Sequence, residues 1–336
     1  MILGIDELRK SVDSVDREIL KNLAKRKELV KEIAALKKSM KIPVNDSARE
    51  KSVLDSLKKQ AKENGLSQEL IDSIYNLVFE NSKIEQEIKN SDYKCRIKEI
   101  GLIGFGRFGR LAAKYLSEDF RVYVTNKNNK INSQKNIIPS TLDQVCKKPV
   151  VIIAVPISEF ENTLKNAEPL LKKDSLVIDV CSVKEHPASL MKKILPKSVQ
   201  VLGTHPLFGP DTASDSIVGR KIVLCKARIN TNLHELIKSF LKSKGLVVIE
   251  TTPREHDRQI AKSLVLTHMI GRALIGMKAG NVDIDTMGYR ALIKILDTVR
   301  NDSLQLFQDM NRYNRFAKKE RQKFIGSLER LNKVLG

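Results

Sequence analysis

Tryptophan is missing from the 336 residues, and aromatic side chains of all kinds make up 5%. A surface that holds unpaired bases needs rings beside its basic residues, so the formal charge of +20 is not read as nucleic-acid binding. The charge is also dispersed: residues 1–90 hold 18 Lys/Arg against 16 Asp/Glu, and the excess is scattered downstream through helices and turns. Such a balance suits anionic small substrates and a phosphate-bearing cofactor. Cysteine is scarce. Cys95, Cys146, Cys181 and Cys225 lie far apart without a CxxC or a His/Cys cluster, which excludes a disulfide framework and a metal site and leaves reduced packing residues. No apolar run approaches the ~18–20 residues of a membrane span. The opening MILGIDELRK lacks the basic-then-apolar order of a signal peptide. A cytoplasmic protein without metal, membrane or nucleic-acid partner is expected.

What is present divides into three parts. Residues 4–90 carry helix signals almost throughout, with one segment to about Met40, a second from Asp46 to Asn64 and a third from Ser67 to about Lys89. Pro43 with Asn45 breaks the first pair, and Asn64-Gly65 stops the second helix. After the polar KNSDYKCR, short β-branched runs alternate with helical segments: IKEIGLIG, FRVYVT, PVVIIAVP, SLVIDV, VQVLG, KIVLC and GLVVIE. Continuous apolar runs of this length indicate a mostly parallel sheet covered on both faces. Beyond Thr252-Pro253 the pattern is helical to the end. The expected organisation is therefore multi-domain: an all-α three-helix domain (1–92), a doubly wound α/β domain (97–252) and an all-α C-terminal domain (253–336).

The first helix breaks its own pattern. At about 100° per residue, Leu8, Val12, Val15, Ile19, Leu23, Val30, Ile33 and Met40 fall within roughly 60° of one direction. Arg26 and Lys37 fall inside that arc, and Arg9 sits at its edge. Long cationic stems often snorkel, but two on one stripe ask for an anion, because an unpaired buried cation costs several kcal/mol. The third helix behaves alike: Ile71, Ile74 and Val78 lead to Ser82 and Gln86. In the second, Glu50 precedes Val53, Leu54 and Leu57 on their face, with Asp46 and Arg49 on the same turn. Ser47 with Glu50 also reads as a capping box. Cations, neutral donors and one carboxylate facing inward suit a small dianion that carries a hydroxyl group.

These residues make the segment 5–88 resemble the all-helical chorismate mutases, through IDELRKSVDSVDREIL, LAKRKELVKEIAALKK, PVNDSAREKSVLDSL and ENSKIEQ. The resemblance implies rearrangement of chorismate to prephenate by positioning and electrostatics, without a covalent intermediate. It also implies roles. Arg26, with Arg9 of a partner subunit, binds the substrate carboxylates; Lys37 and Gln86 donate to the ether oxygen; Glu50 accepts from the ring hydroxyl; Asp46, Arg49 and Ser82 complete the site. Such domains form interlocked dimers.

In the α/β part, GLIGFGRFG follows the first strand and opens a helix, so Gly104, Gly106 and Gly109, with Phe105, Arg107 and Phe108 between them, form a GxGxxG in a dinucleotide-binding context. The second strand ends in VYVTNKNNK, without the carboxylate that would take a ribose 2′-hydroxyl. Asn126 and Lys127 could instead receive a 2′-phosphate, which favours NADP over NAD. Two further strand ends look chemical: VIDVCSVKEH with Ser182 and Lys184, and VLGTHPLFGPD with His205. A histidine at a strand end beside a nicotinamide is placed to act as base or hydrogen-bond acceptor.

Over roughly residues 97–320 the chain resembles the prephenate and arogenate dehydrogenases, through the glycine loop, Ser182 to His205 with THPLFGPD, EHD at 255–257, His268 and MGYR ending in Arg290. The full order is that of the bifunctional chorismate mutase/prephenate dehydrogenases. The resemblance implies oxidative decarboxylation. His205 accepts from the C4 hydroxyl, Ser182 orients it, Arg290 binds a substrate carboxylate and His268 lies near the side chain. His256 and Asp257 are expected to start and brace their helix, and His186 and His234 to lie on the surface. The C-terminal helices are expected to add a second dimer contact. Arogenate as the substrate, and a non-catalytic NAD(P)-sensing adaptor, are the alternatives.

Overall fold

The computed structural model describes residues 4–91, 97–127, 131 and 133–336. Cys95, and most of the polar stretch expected to separate the first two domains, lie outside the described residues. The chain forms two compact units. One is Met1–Tyr93 with Ile217–Gly219 and Ile237–Val247; the other is Lys94–Ser216, Arg220–Leu236 and Val248–Gly336.

In the first unit three helices follow one another: α1 (Ile5–Ser39), α2 (Ser47–Glu63) and α3 (Gln68–Asn90). Ser67 caps α3 by accepting from Leu70 N, and Gly65 ends α2 at φ +70°, a left-handed conformation that favours glycine. The capping box expected from Ser47 and Glu50 is not formed. Asp46 is the N-cap of α2 and accepts from Arg49 N at 3.0 Å, so Ser47 becomes the first helical residue and Glu50 is free to pair elsewhere. Helix α3 packs against both α1 and α2. Val30, Ala34, Ala61, Ile71 and Phe79 are buried between them, but the N-terminal half of the α1 stripe is not: Leu8, Val12, Val15 and Ile19 are 51%, 59%, 55% and 51% exposed.

The second unit opens with β1 (Glu99–Ile103), α4 (Arg107–Leu116), β2 (Arg121–Thr125), β3 (Ile137–Pro139), α5 (Leu142–Cys146), β4 (Val150–Ile153) and α6 (Ile157–Ala167). The chain continues through β5 (Leu176–Asp179), α7 (Glu185–Ile194), β6 (Gln200–Pro206), β7 (Lys221–Arg228), α8 (Thr231–Ser243) and β8 (Val247–Glu250), of which Ile237–Val247 belongs to the first unit. The eight strands form one sheet in the order β3-β2-β1-β4-β5-β6-β7-β8. Neighbours from β3 to β6 are parallel and β6–β7 is antiparallel. Strand β3 was not among the expected runs, since three residues carry too little periodicity to be seen. Strands β4 and β5 are buried at every position, which is why their sequences VVII and LVID do not alternate. Phe160 and Leu164 of α6 pack onto Val151, Ile153 and Val177 of the sheet. The chain starts centrally at β1, moves outward to β2 and β3, and returns to β4 on the far side of β1. The crevice at that reversal is where doubly wound sheets take ligands.

Six helices follow: α9 (Pro253–Lys262), α10 (Leu264–Gly276), α11 (Met287–Ile293), α12 (Ile295–Val299), α13 (Leu304–Tyr313) and α14 (Ala317–Leu335). Ile260, Val265, Met310 and Ala317 form a core where α9, α10, α13 and α14 meet.

Candidate active sites

In the helical unit Arg26 is half-buried. Its guanidinium donates to Ser82 Oγ and lies 5.9 Å from the centre of the Phe79 ring. Ser82 in turn donates to Val78 O at 2.6 Å. Lys37 reaches across the α1–α2 turn and donates to Val44 O at 2.9 Å. Neither cation is in an ion pair among the described residues. Gln86, one turn beyond Ser82, is buried with Oε1 lacking a partner. Glu50 pairs with Lys83 at 2.8 Å. The structure thus brings Arg26 directly to Ser82 and leaves Lys37 and Gln86 with unspent hydrogen-bonding capacity. Arg9 is exposed and pairs with Asp6 at 3.3 Å, and Arg49 and Asp46 are exposed on the first turn of α2.

In the sheet unit the glycine loop runs from β1 into α4. A Cβ on Gly104, at φ +101°, would lie 2.3 Å from Ala154 O, and one on Gly109 would lie 2.2 Å from Gly104 O. Both positions admit only glycine. A Cβ on Gly106 would meet nothing within 4 Å, so the backbone there faces open space. Gly106 is also the N-cap of α4 and supplies no side-chain cap, leaving the first amides of that helix available to an anion. These residues fit a dinucleotide pyrophosphate. Phe105 N donates to Asn126 Oδ1 at 3.5 Å, and Lys127 pairs with Glu159. Phe108 lies 6.5 Å from Phe208, centre to centre. Arg107 turns to the loop after β6: both carboxylate oxygens of Asp211 accept from it at 2.7 Å, and Asn301 O accepts at 2.7 Å.

His205 ends β6, buried. Its Nδ1 lies 2.9 Å from His256 Nε2, and His256 Nδ1 lies 2.8 Å from Asp257 Oδ1. Asp257, expected to brace its own helix, instead serves the start of α7, accepting from Lys184 N at 2.7 Å and Glu185 N at 2.9 Å, while Thr252 caps α9. His256 does more than start α9: it is the direct partner of His205, a contact that sequence reasoning missed. The adjacent His-Asp pair just inside a Thr-Pro helix start was the available signal. Lys184 is completely buried, with Nζ donating to Asp179 Oδ1 and to Thr204 O at 2.5 Å. Burial, then the neighbouring His256 and the Lys184 ammonium, hold the His205 imidazole well below its ordinary pKa, so it is a neutral base. Burial raises the pKa of Asp179, opposed by Lys184. Ser182 Oγ is buried without a partner, an orphan hydroxyl at the end of β5.

His268 on α10 is buried, 3.5 Å from Asp302 Oδ2, with Nδ1 lacking a partner; burial pushes its pKa down to about 4. Arg290 is exposed and held by Asp285 at 2.7 Å rather than by the His205 cluster. His234 is not a surface residue. It is fully buried in α8, with Glu235 3.4 Å from Nδ1 and Glu250 3.6 Å from Nε2. These three are the one group among the described residues with metal-ligating atoms in mutual reach. His186 is half-buried against Tyr313, 4.5 Å between ring centres.

The fold and these sites define an enzyme that joins an all-helical anion-binding domain to a dinucleotide-dependent oxidoreductase. Comparison with known proteins agrees segment by segment. "Chorismate mutase type II" matches residues 8–87, "Prephenate dehydrogenase, nucleotide-binding domain" matches 117–250, and "TYRAAT1-like, C-terminal domain" matches 273–336. The chorismate mutase of Methanocaldococcus jannaschii is 36% identical over 87 residues, 26% of this chain and 88% of that protein. The T-protein of Enterobacter agglomerans is 28% identical over 85% of this chain and 74% of its own. Arogenate dehydrogenase 2 of Arabidopsis thaliana is 29% identical over 75% of this chain and 74% of its own. In fold, a prephenate dehydrogenase from A. aeolicus, solved with hydroxyphenyl propionate and NAD+, matches 72% of this chain and 92% of its own at TM-score 0.56 and 19% identity. The chain belongs to the bifunctional chorismate mutase/prephenate dehydrogenase family. With that, the alternative of a non-catalytic adaptor falls away.

Proposed function

We infer that the protein makes prephenate from chorismate in its helical unit and then oxidises and decarboxylates prephenate to 4-hydroxyphenylpyruvate, two successive steps of tyrosine biosynthesis. The carrying observation for the first step is the pair of cations on the α1 stripe, Arg26 and Lys37, neither in an ion pair among the described residues: Arg26 donates to the Ser82 hydroxyl on α3, and Lys37 meets only the main-chain oxygen of Val44. In this reading Arg26, with Arg9 of a second copy, holds the carboxylates, while Lys37 and Gln86 stabilise charge developing at the ether oxygen. Glu50 takes the ring hydroxyl, and Asp46, Arg49 and Ser82 complete the enclosure. The open stripe of Leu8, Val12, Val15 and Ile19 supports a homodimer that would bring Arg9 in. The C-terminal helices are proposed as a second dimer contact.

For the second step, a bound nicotinamide dinucleotide supplies the hydride acceptor. Gly104, Phe105, Gly106, Arg107, Phe108 and Gly109 would form its cradle. His205, neutral and buried, accepts from the substrate C4 hydroxyl, and the orphan Ser182 hydroxyl orients that group. Arg290 and His268 are assigned to the substrate's side chain and carboxylate. NADP is proposed as the preferred cofactor, since Asn126 and Lys127 stand where a carboxylate would reject the 2′-phosphate, and Lys127 would have to leave Glu159 to meet it. Domain limits of 1–92, 97–252 and 253–336 accompany this reading. The buried free thiols of Cys146, Cys181 and Cys225 support a reducing, cytoplasmic location.

The test is a coupled assay of the purified chain with chorismate and NAD or NADP. Nicotinamide reduction that follows chorismate loss is the expected result. Prephenate that accumulates without reduction, with arogenate then oxidised when supplied, would move the second activity to arogenate, the substrate named for the Arabidopsis relative.

A further inference from the structure

The hydrogen bonds behind His205 permit one proton arrangement. Asp257 accepts two main-chain amides and also faces His256 Nδ1, so its oxygens act as acceptors and His256 Nδ1 carries the hydrogen. His256 Nε2 is then a lone pair. It lies 2.9 Å from His205 Nδ1, with the rings edge to face at 70°, so His205 Nδ1 must carry the hydrogen and Nε2 must be the bare nitrogen. An imidazole with its Nε2 lone pair fixed is a base aimed away from the relay.

We propose that Asp257 and His256 form a relay behind His205, which sets its tautomer and takes up the charge of the proton it receives, making His256 a positioning residue of the dehydrogenation. This rests on the reading of the sheet unit given above. As the C4–H hydride leaves the substrate, the C4 hydroxyl proton moves to His205 Nε2 and the Nδ1 proton of His205 moves to His256 Nε2. The resulting imidazolium sits against the Asp257 carboxylate. When the ring carboxylate departs as CO2, its bonding electrons aromatise the ring, the C4 oxygen takes the proton back, and the relay returns to its starting state. Substrate loses one hydride and one CO2, and no net proton is released.

The charged and titratable groups around the pair are few. Asp257 comes from α9, Lys184 from the start of α7, Asp179 from β5, and the Cys225 thiol, pushed up to about 12 by burial, from β7. Burial lowers both imidazoles, and at His256 the bond to Asp257 works against that loss. A proton passed to His256 sits against a carboxylate, so deleting that ring leaves His205 a weaker base.

Two variants separate a relay from a packing role. His256→Leu removes the acceptor for His205 Nδ1, whereas His256→Gln keeps an acceptor but takes no proton. Each is assayed with supplied prephenate and arogenate at saturating NAD and NADP, with chorismate consumption by the same chain as the control for folding. Expected are a loss of about 100-fold or more in kcat for His256→Leu and a smaller one for His256→Gln, with cofactor affinity and mutase rate unchanged. In His256→Gln the acid limb of the kcat profile moves to lower pH. An acid limb that stays at the wild-type position overturns the relay, whatever the rate. Nitrogen NMR of the histidine rings reads the tautomers without turnover, so a wild type inactive on both substrates would refute the dehydrogenase reading and still leave the relay decided. Protonated Nδ1 on both His205 and His256 supports it, and protonated Nε2 on His205 overturns it.

Discussion

Lys184 Nζ donates to the main-chain oxygen of Thr204 at 2.5 Å, tying a fully buried ammonium to the residue immediately before His205. The same ammonium meets Asp179 at the end of β5, and the Lys184 amide meets Asp257. Three segments distant in sequence are thereby locked around one imidazole. The cost is two buried charges that stabilise the fold only while both are present.

Removing one of them exposes that cost. Lys184→Met leaves Asp179 buried and unpaired and is expected to destabilise by about 3–5 kcal/mol, whereas Asp179→Leu combined with Lys184→Met recovers most of the loss. Urea midpoints of the three proteins measure this. Equal destabilisation in the single and double variants would show that the pair itself is not the source.

In the helical unit, Arg26→Ala and Lys37→Ala are each expected to slow chorismate consumption by about 100-fold or more, because each removes a charged donor from a site that works by electrostatics. Circular dichroism and oxidation of supplied prephenate remain at wild-type levels. Full mutase activity in both variants would dismiss the helical site.

The glycine loop offers two alanine substitutions with opposite expected effects. Gly104→Ala forces a Cβ to 2.3 Å from Ala154 O at positive φ, so the melting temperature falls, by an amount equivalent to about 1–3 kcal/mol or more. Gly106→Ala has room in the free protein but fills the space that the pyrophosphate needs. Its stability stays near wild type while cofactor affinity drops by about tenfold or more, an effect on the order of 1.4 kcal/mol. Thermal melts and cofactor titrations on the same samples separate the two.

Buried neutral histidines predict the acid sensitivity. His268 has a folded-state pKa near 4 against an ordinary 6.5, so between those values the unfolded chain binds a proton that the folded chain refuses. Its contribution, on the order of 3 kcal/mol, is present above pH ~6.5 and is lost as pH falls towards 4. His205 and His256, both lowered by burial, act in the same direction. Denaturant midpoints taken from pH 7.5 down to 4.5 are expected to decline, less steeply in His268→Asn. A slope unchanged in that variant would mean that His268 is already protonated in the fold.

The helices of the first unit were legible almost to the residue, because their ends depend on local signals such as Asn64-Gly65 and Ser67. The misplaced capping box shows the limit of such signals. Asp46 and Ser47 are both competent caps; in the fold Asp46 takes the Arg49 amide and Glu50 pairs with Lys83 of the next helix. Ser82 was visible as a polar residue in an apolar stripe, but its partner Arg26 lies 56 positions away and was joined to it by packing. Arg107 was read as a residue of the cofactor loop; Asp211, which holds it, belongs to a segment with no periodic relation to it.

By itself the sequence determined the order of elements, the glycine loop and the chemical types available, since periodicity, caps and left-handed turns act over a few residues. Tertiary structure alone decided which groups are neutral and which face one another. Lys184 stands out in the sequence only by its place at a strand end; its complete burial and its bonds to Asp179 and Thr204 exist only once β5, β6 and α7 close around it. His256 reads as a helix-start residue until α9 lies against the end of β6, 51 positions earlier in the chain. Burial and contact between distant segments arise only from packing, and they convert a histidine of ordinary pKa into a neutral base with one bare nitrogen.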